Sequence, residues 1–179
     1  MRRYILTGAP GAGKTAILRA LARRGHAVVE EAATDVCARE QALGAAEPWT
    51  LPRFIEDIVR LQRQRQERAE ALAGSVQIFD RSPVCTLALA RHLGFAPPDA
   101  LVRELERIQR LGLYERRVLF VESLGFITNT DVRRISLEEA RRFGALHEAA
   151  YRELGYQLVR IAPASVEARA DEVARLIEA

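Results

Sequence analysis

Gly8-Ala9-Pro10-Gly11-Ala12-Gly13-Lys14-Thr15 is the stretch on which the fold turns. It follows the apolar run Tyr4-Ile5-Leu6-Thr7 and leads into Ala16-Ile17-Leu18-Arg19-Ala20-Leu21. The eight residues match Gly-x4-Gly-Lys-[Ser/Thr], set between a predicted strand over 3–7 and a predicted helix over 14–24. Its glycines let the backbone curl until successive amide N–H groups point inward, forming a concavity for phosphate oxygens. The dipole of the following helix adds to that attraction. Lys14 is placed to reach the outer phosphates of a nucleoside triphosphate, and the Thr15 hydroxyl to ligate Mg²⁺. Gly8, Ala9, Pro10, Gly11, Ala12, Gly13, Lys14, Thr15 and Ala16 are therefore the candidate nucleotide contacts. The plain alternative is a glycine-rich turn that binds nothing. Composition argues against it: of 27 lysines plus arginines, Lys14 is the single lysine. A chain that uses arginine wherever a positive charge suffices keeps its one compact ammonium where a guanidinium fork would not fit.

Outward from the loop, helices and strands alternate. Strands are expected over 26–30, 75–80, 117–121 and 157–161, and helices over 31–43, 51–73, 83–93, 99–111, 137–154 and 165–178. Thr50 is expected to cap the helix at 51 and Asp99 the helix after Pro97-Pro98. This alternation predicts an α/β fold around a mostly parallel sheet with right-handed crossovers. With 179 residues the chain suits one domain over 1–179, with a lid-like segment near 123–142.

In such a sheet, ligands sit beyond the carboxyl ends of the strands. Each predicted strand leads into reactive chemistry there: the glycine loop, Glu30-Glu31, Asp80-Arg81, Glu122, and Pro163-Ala164-Ser165. Asp80 is a candidate Mg²⁺ partner beside Thr15, and Arg81 a candidate contact for a transferred phosphoryl group. The competing reading is that Asp80 only caps the next helix. Glu31 can orient or deprotonate an acceptor hydroxyl, or can simply be an acid at a helix start; both readings stand. Asp35, one turn on, shares its face in either case. Glu122 is open in the same way. Asn129-Thr130-Asp131-Val132-Arg133-Arg134, followed by Arg141-Arg142, makes a basic patch that reads as a lid bringing guanidinium groups onto phosphates, or as a solvated arginine-rich helix. Arg60, Arg63 and Arg68 read as a solvated face. His26, His92 and His147 lack metal-site spacing and read as surface or packing residues, and Trp49 as a packing anchor.

The formal charge of +3 and the absence of an aromatic and basic platform give no clear nucleic-acid site. No apolar run approaches a membrane span. Cys37 and Cys85 have no metal-ligand spacing, so a reducing, cytoplasmic setting is expected.

The chain resembles the P-loop AAA-family ATP-binding domains grouped with the ribosylnicotinamide-kinase domain of a bacterial NAD-biosynthesis regulator and with the TRPL translocation defect protein. The resemblance runs over nearly the whole chain. It rests on the glycine loop, Val28-Val29-Glu30-Glu31-Ala32-Ala33, Phe79-Asp80-Arg81-Ser82-Pro83, Thr130-Asp131-Val132-Arg133-Arg134, and His147-Glu148-Ala149-Ala150-Tyr151 with Ser165-Val166-Glu167-Ala168-Arg169. It implies a nucleotide-kinase-like three-layer αβα sandwich with five parallel strands in the order 2-3-1-4-5. It implies ATP- or GTP-dependent phosphorylation of a small molecule. By the same resemblance Glu31 is the acceptor-side acid, Arg81 a phosphate contact and Arg134 a lid contact, while Pro163 and Ser165 flank the base. Thr34 departs from the pattern, since an arginine often stands there.

Together these readings give a kinase in which Lys14, Glu31, Asp80, Arg81 and Arg134 act on ATP·Mg²⁺ and a small-molecule acceptor, in a monomer or homodimer. ATP is preferred over GTP because no Asn-Lys-x-Asp guanine reader is visible. The alternative is a nucleotide-binding ATPase or switch module that regulates a partner without any small-molecule acceptor.

Overall fold

The computed structural model describes residues 1–72, 74–124 and 136–178, with the side chain of Leu137 outside that description. The strands are β1 (Arg2–Gly8), β2 (Ala27–Val29), β3 (Val76–Asp80), β4 (Arg117–Val121) and β5 (Gln157–Ile161). The helices are α1 (Lys14–Arg23), α2 (Ala32–Ala42), α3 (Arg53–Ala69), α4 (Pro83–His92), α5 (Asp99–Arg110), α6 (Leu137–Glu153) and α7 (Val166–Glu178). A short 3-10 turn spans Pro48–Thr50.

All pairings are parallel and the strand order is β2-β3-β1-β4-β5. This is the expected three-layer sandwich. Alternation along each strand divides the core into its two faces. Tyr4 and Leu6 of β1, Ile78 of β3 and Leu119 of β4 pack with Ile17 and Leu21 of α1 and Val173 and Ile177 of α7. Ile5, Phe79 and Val118 point the other way, onto α3, α4, α5 and α6. A smaller cluster joins α2 to α3 through Val36, Cys37, Phe54 and Ile58, with Trp49 against it. That satellite core holds a cavity open beside the sheet.

Two expected caps are corrected. α3 begins after Pro52, which makes no side-chain cap, because Thr50 turns its hydroxyl onto the Glu47 carbonyl and closes the 3-10 turn instead. At α5 the cap position is Pro98, and Asp99 is the first helical residue, where its charge still favours the dipole. α3 also stops at Ala69, four residues before the expected end. There the Ala69 carbonyl accepts from Gln77 of β3 and from the Leu72 N–H, as the helix tightens into i→i+3 turns.

Among the described residues no helix is long and apolar enough to cross a membrane. Cys37 and Cys85 are both buried and are not joined in a disulfide.

Candidate active site

The parallel sheet brings the carboxyl end of every strand to one edge. β1 is central, between β3 and β4, so the loop it feeds lies at the middle of that edge. Gly8 has φ 136°, and a Cβ there would lie 2.3 Å from the Val121 carbonyl oxygen. Only glycine permits β1 and β4 to stay paired while the chain turns into the loop. Gly13, at φ 86°, is the cap of α1, and a Cβ there would meet the Arg169 guanidinium at 2.8 Å.

Lys14 is buried at 6% exposure and folds back over the loop, donating to the Gly8 carbonyl at 3.2 Å and the Ala9 carbonyl at 2.8 Å. The loop is thus closed by its own ammonium, which faces the concavity where an anion fits. The Thr15 hydroxyl lies 3.5 Å from Asp80 Oδ2, so strand β3 and helix α1 bring two hard oxygen donors together. Mg²⁺ is commonly held by one or two protein oxygens, with water and phosphate oxygens completing the octahedron. The pair fits that pattern. No group of three or more His, Cys, Asp or Glu that could hold a metal occurs among the described residues.

Arg81 is the only described non-glycine residue at positive φ, 72°. Its N–H donates to the Leu6 carbonyl at 3.0 Å, which continues the β1–β3 ladder past the end of β3. The strained backbone aims the side chain into the cleft. There its Nε pairs with Glu31 Oε1 at 2.7 Å, and one terminal nitrogen lies 2.9 Å from His147 Nε2. Burial opposes the guanidinium charge, but Glu31, then Cys85 and Asp80, hold it above its ordinary pKa. Asp80 therefore does not serve merely as a cap: Ser82 caps α4, accepting from the Val84 N–H.

His147 is fully buried, so the surface reading is corrected and the packing reading extended. Burial first, then the Arg81 charge, push its pKa well below the imidazole range. Neutral at pH 7, it donates from Nδ1 to the Phe143 carbonyl, which leaves Nε2 to accept from Arg81. Behind it lies a buried hydroxyl and thiol chain. The Ser82 and Tyr151 hydroxyls are 2.8 Å apart, Tyr151 is 3.1 Å from the Cys85 thiol, and Cys85 is 3.2 Å from Thr7.

Glu31 also accepts from the Thr34 hydroxyl at 3.0 Å. Arg65 of α3 fixes the link from β2 to α2, where Glu31 is the cap residue, donating to the Glu30 and Glu31 carbonyls at 2.9 and 2.5 Å while pairing with Asp35. Asp35 therefore faces Arg65. Nothing in an arginine-rich helix distinguished Arg65 from its neighbours Arg60 and Arg63, which are exposed as expected. Glu122 pairs with Arg160 at 3.1 Å on β5, and belongs to the sheet edge. Pro163 and Ser165 are exposed, and Ser165 accepts from the Ala168 N–H at the start of α7.

Arg169 is a second residue that the pattern alone did not single out as a site. It is 1% exposed and donates to the Ala12 carbonyl at 2.7 Å, from behind the loop. No carboxylate among the described residues pairs with it, and burial lowers its pKa. A buried, unpaired cation thus sits directly under a loop shaped for anions. Arg134, with the rest of 125–135, lies outside the described residues. Arg142 is exposed and leans on Glu138 at 3.6 Å.

Pro10, Thr15, Glu31 and Arg81 form one end of a cavity of about 350 Å³ that extends between α2, α3, α4 and α6. Phosphate loop, acid–arginine pair and cavity are therefore continuous.

Residues 3–169 match the family model described as an AAA domain. A search of curated proteins finds no match. Solved structures that share the fold include the following three. A NadR protein in complex with NR matches with TM-score 0.68 and 18% identity over 99% of this chain and 51% of that one. Deoxyadenosine kinase from M. mycoides with bound dATP matches with TM-score 0.55 and 12% identity over 99% and 100%. Shikimate kinase from Acinetobacter baumannii in complex with shikimate matches with TM-score 0.54 and 17% identity over 99% and 93%. The chain spans about half the length of the NadR protein. Over nearly its whole length, then, it belongs to the AAA-domain family, as a P-loop nucleotide-binding domain with the fold that NadR also carries.

Proposed function

We propose that the protein is a small-molecule kinase that transfers the γ-phosphoryl group of ATP to an acceptor hydroxyl. One observation carries this reading: the Glu31–Arg81 pair stands where a substrate-sized cavity opens onto the phosphate loop. A nucleotide switch without an acceptor has no use for a substrate-sized cleft at that junction. The acceptor occupies the cavity with its hydroxyl at Glu31. Its oxygen forms the new bond to the γ-phosphorus as the bond to the β,γ-bridging oxygen breaks and ADP leaves. The hydroxyl proton passes to Glu31.

The loop amides of residues 8–13 and Lys14 hold the triphosphate, and Arg81 meets the charge that spreads over the moving phosphoryl oxygens. Thr15 and Asp80 would hold Mg²⁺, which when bound neutralises phosphate charge. Arg169 keeps the loop open and electropositive from below. His147 and Arg65 act through others, the first by orienting Arg81 and the second by anchoring the backbone of Glu31. Pro163 and Ser165 flank the base, and Arg134 is assigned to the lid. Catalysis on this arrangement is positioning and electrostatics.

A coupled assay of ADP release with Mg-ATP, run with and without hydroxyl acceptors, tests the reading. Acceptor-stimulated release that disappears in Glu31→Gln is the expected result. Release that no acceptor stimulates, together with nucleotide-dependent protection of residues 123–142 from proteolysis, would replace the kinase with the switch.

A further inference from the structure

We propose that Tyr151 is a positioning residue whose hydroxyl, acting through Ser82, fixes the strained turn that aims Arg81 into the cleft. The inference rests on the kinase reading above and extends it to a side chain outside the cavity lining.

Arg81 holds φ 72° despite its side chain, a conformation that costs energy and persists only where the surroundings over-determine it. Its own N–H is tied to the Leu6 carbonyl at 3.0 Å, which fixes the residue on the strand side. The next residue has to be held as well, or the turn relaxes and the guanidinium swings. Ser82 is held twice. Its hydroxyl accepts from the Val84 N–H at 3.2 Å, as the cap of α4, and lies 2.8 Å from the Tyr151 hydroxyl. The first contact belongs to α4 and moves with it. The second joins residues 69 positions apart and fixes the turn against another element.

Tyr151 lies one turn after His147 on α6, so the two share a face. That face grips Arg81 at both ends: His147 at the guanidinium, 2.9 Å away, and Tyr151 at the backbone, through Ser82. The Tyr151 hydroxyl also lies 3.1 Å from the Cys85 thiol, and Cys85 lies 3.2 Å from Thr7, the residue before Gly8. A run of four buried groups therefore joins the entry of the phosphate loop to the turn at Arg81. Each of the four can both donate and accept, so its contacts are satisfied together. Burial raises the Tyr151 pKa well above the phenol range, so its proton stays in place at neutral pH. Removing this hydroxyl takes a buried partner from Ser82 and Cys85, and the strained turn is the element that can relax in response.

The test compares Tyr151→Phe with wild type in the full-length protein. Tyr156→Phe is the control, because that ring packs edge-on against Tyr151 at 5.6 Å without joining the run. Nuclear magnetic resonance of arginine Nε–H groups reads Arg81 itself, since its Nε is buried against Glu31 at 2.7 Å, and the signal is assigned by its loss in Arg81→Lys. In Tyr151→Phe the Arg81 Nε–H should exchange with solvent at least about tenfold faster, while backbone amides of α4 and α6 stay within about twofold. The Kd for a non-hydrolysable ATP analogue with Mg²⁺ should stay within about twofold, and kcat for acceptor-stimulated ADP release should fall at least about tenfold. Tyr156→Phe should change none of these. Ser82→Ala breaks the same contact from the other side and should reproduce the faster Arg81 exchange. It decides the matter if Tyr151→Phe does not fold, with α6 amides as its reference because Ser82 also caps α4. Unchanged Arg81 exchange overturns the inference. So does faster exchange spread evenly over the amides of α4 and α6, which would make the hydroxyl a general structural contact. The kinase reading is scored separately, because Arg81 exchange is read without turnover. ADP release that no acceptor stimulates in wild type would remove the kinase and leave the hold on Arg81 standing.

Discussion

Arg169→Met separates what the buried cation does for folding from what it does for nucleotide binding. Methionine retains an unbranched apolar stem of similar reach while removing the charge and the donor to Ala12. In the free protein two effects oppose each other. The hydrogen bond to the Ala12 carbonyl, 2.7 Å in length, is lost. With a charged donor it is worth about 1.5–3 kcal/mol. In return, a buried cation with no carboxylate partner among the described residues disappears, and the desolvation cost it carried is several kcal/mol. The net change in unfolding free energy should therefore stay within about 2 kcal/mol of zero. Binding has no such compensation. A phosphate on the inner amides faces the guanidinium across one layer of backbone. At about 8 Å and an effective dielectric constant of about 20, the lost attraction is about 2 kcal/mol. That corresponds to a dissociation constant about 30-fold higher. Isothermal titration calorimetry with Mg²⁺ and a non-hydrolysable ATP analogue reads the second quantity, and urea unfolding the first. Arg169→Lys, which keeps the charge but not the planar fork, should fall between the two. Binding within twofold of wild type for Arg169→Met would refute the electrostatic role. A stability loss above about 4 kcal/mol would make Arg169 a structural staple.

Other outcomes follow from the same geometry. Lys14→Ala should weaken triphosphate binding by about 100-fold or more while leaving the far-ultraviolet spectrum intact, since the side chain donates to the carbonyls of its own loop at Gly8 and Ala9. Gly8→Ala places a Cβ 2.3 Å from the Val121 carbonyl and should cost about 3 kcal/mol or more in urea unfolding; a loss under about 1 kcal/mol would mean that β1 and β4 part easily. His147 is held neutral in the folded state, with its pKa lowered. Below about pH 6.5 the unfolded chain takes up a proton that the folded chain refuses, so stability falls as pH drops, by up to about 1.4 kcal/mol per unit from this group. His147→Gln should flatten the stability profile between about pH 6.5 and 5 relative to wild type, and parallel profiles would exclude the group. Arg65→Ala should lower kcat for acceptor phosphorylation more than it raises KM for ATP, because its partners are Glu30, Glu31 and Asp35; an effect confined to KM for ATP would contradict the anchoring role.

Much of this molecule is local enough to be read along the chain. The glycine loop declares itself because backbone curvature and amide direction depend on a few adjacent residues. The βα alternation is equally legible, since burial imposes a period of 2 on Tyr4-Ile5-Leu6 and of about 3.6 on the face of α1. The cleft acids and Arg81 were visible because a parallel sheet puts all carboxyl ends on one edge. Charge identity without partners was the limit. Arg65 and Arg169 look like their many neighbours in sequence, and only packing separates an anchor at Glu31 or a cation beneath Ala12 from a solvated face. The caps at Thr50 and Asp99 slipped by a residue or two because a 3-10 turn and a proline pair competed locally for the same backbone donors. His147 shows the same limit. Its burial, its tautomer and its grip on Arg81 come from α6 lying against α4, a contact between residues 66 positions apart. What the chain alone determined was the phosphate loop, the layered parallel sheet and the edge where chemistry gathers, all consequences of short-range periodicity. The cavity between α2, α3, α4 and α6 and the pairing of Glu31 with Arg81 were decided in three dimensions, because long-range packing chooses which side chains meet.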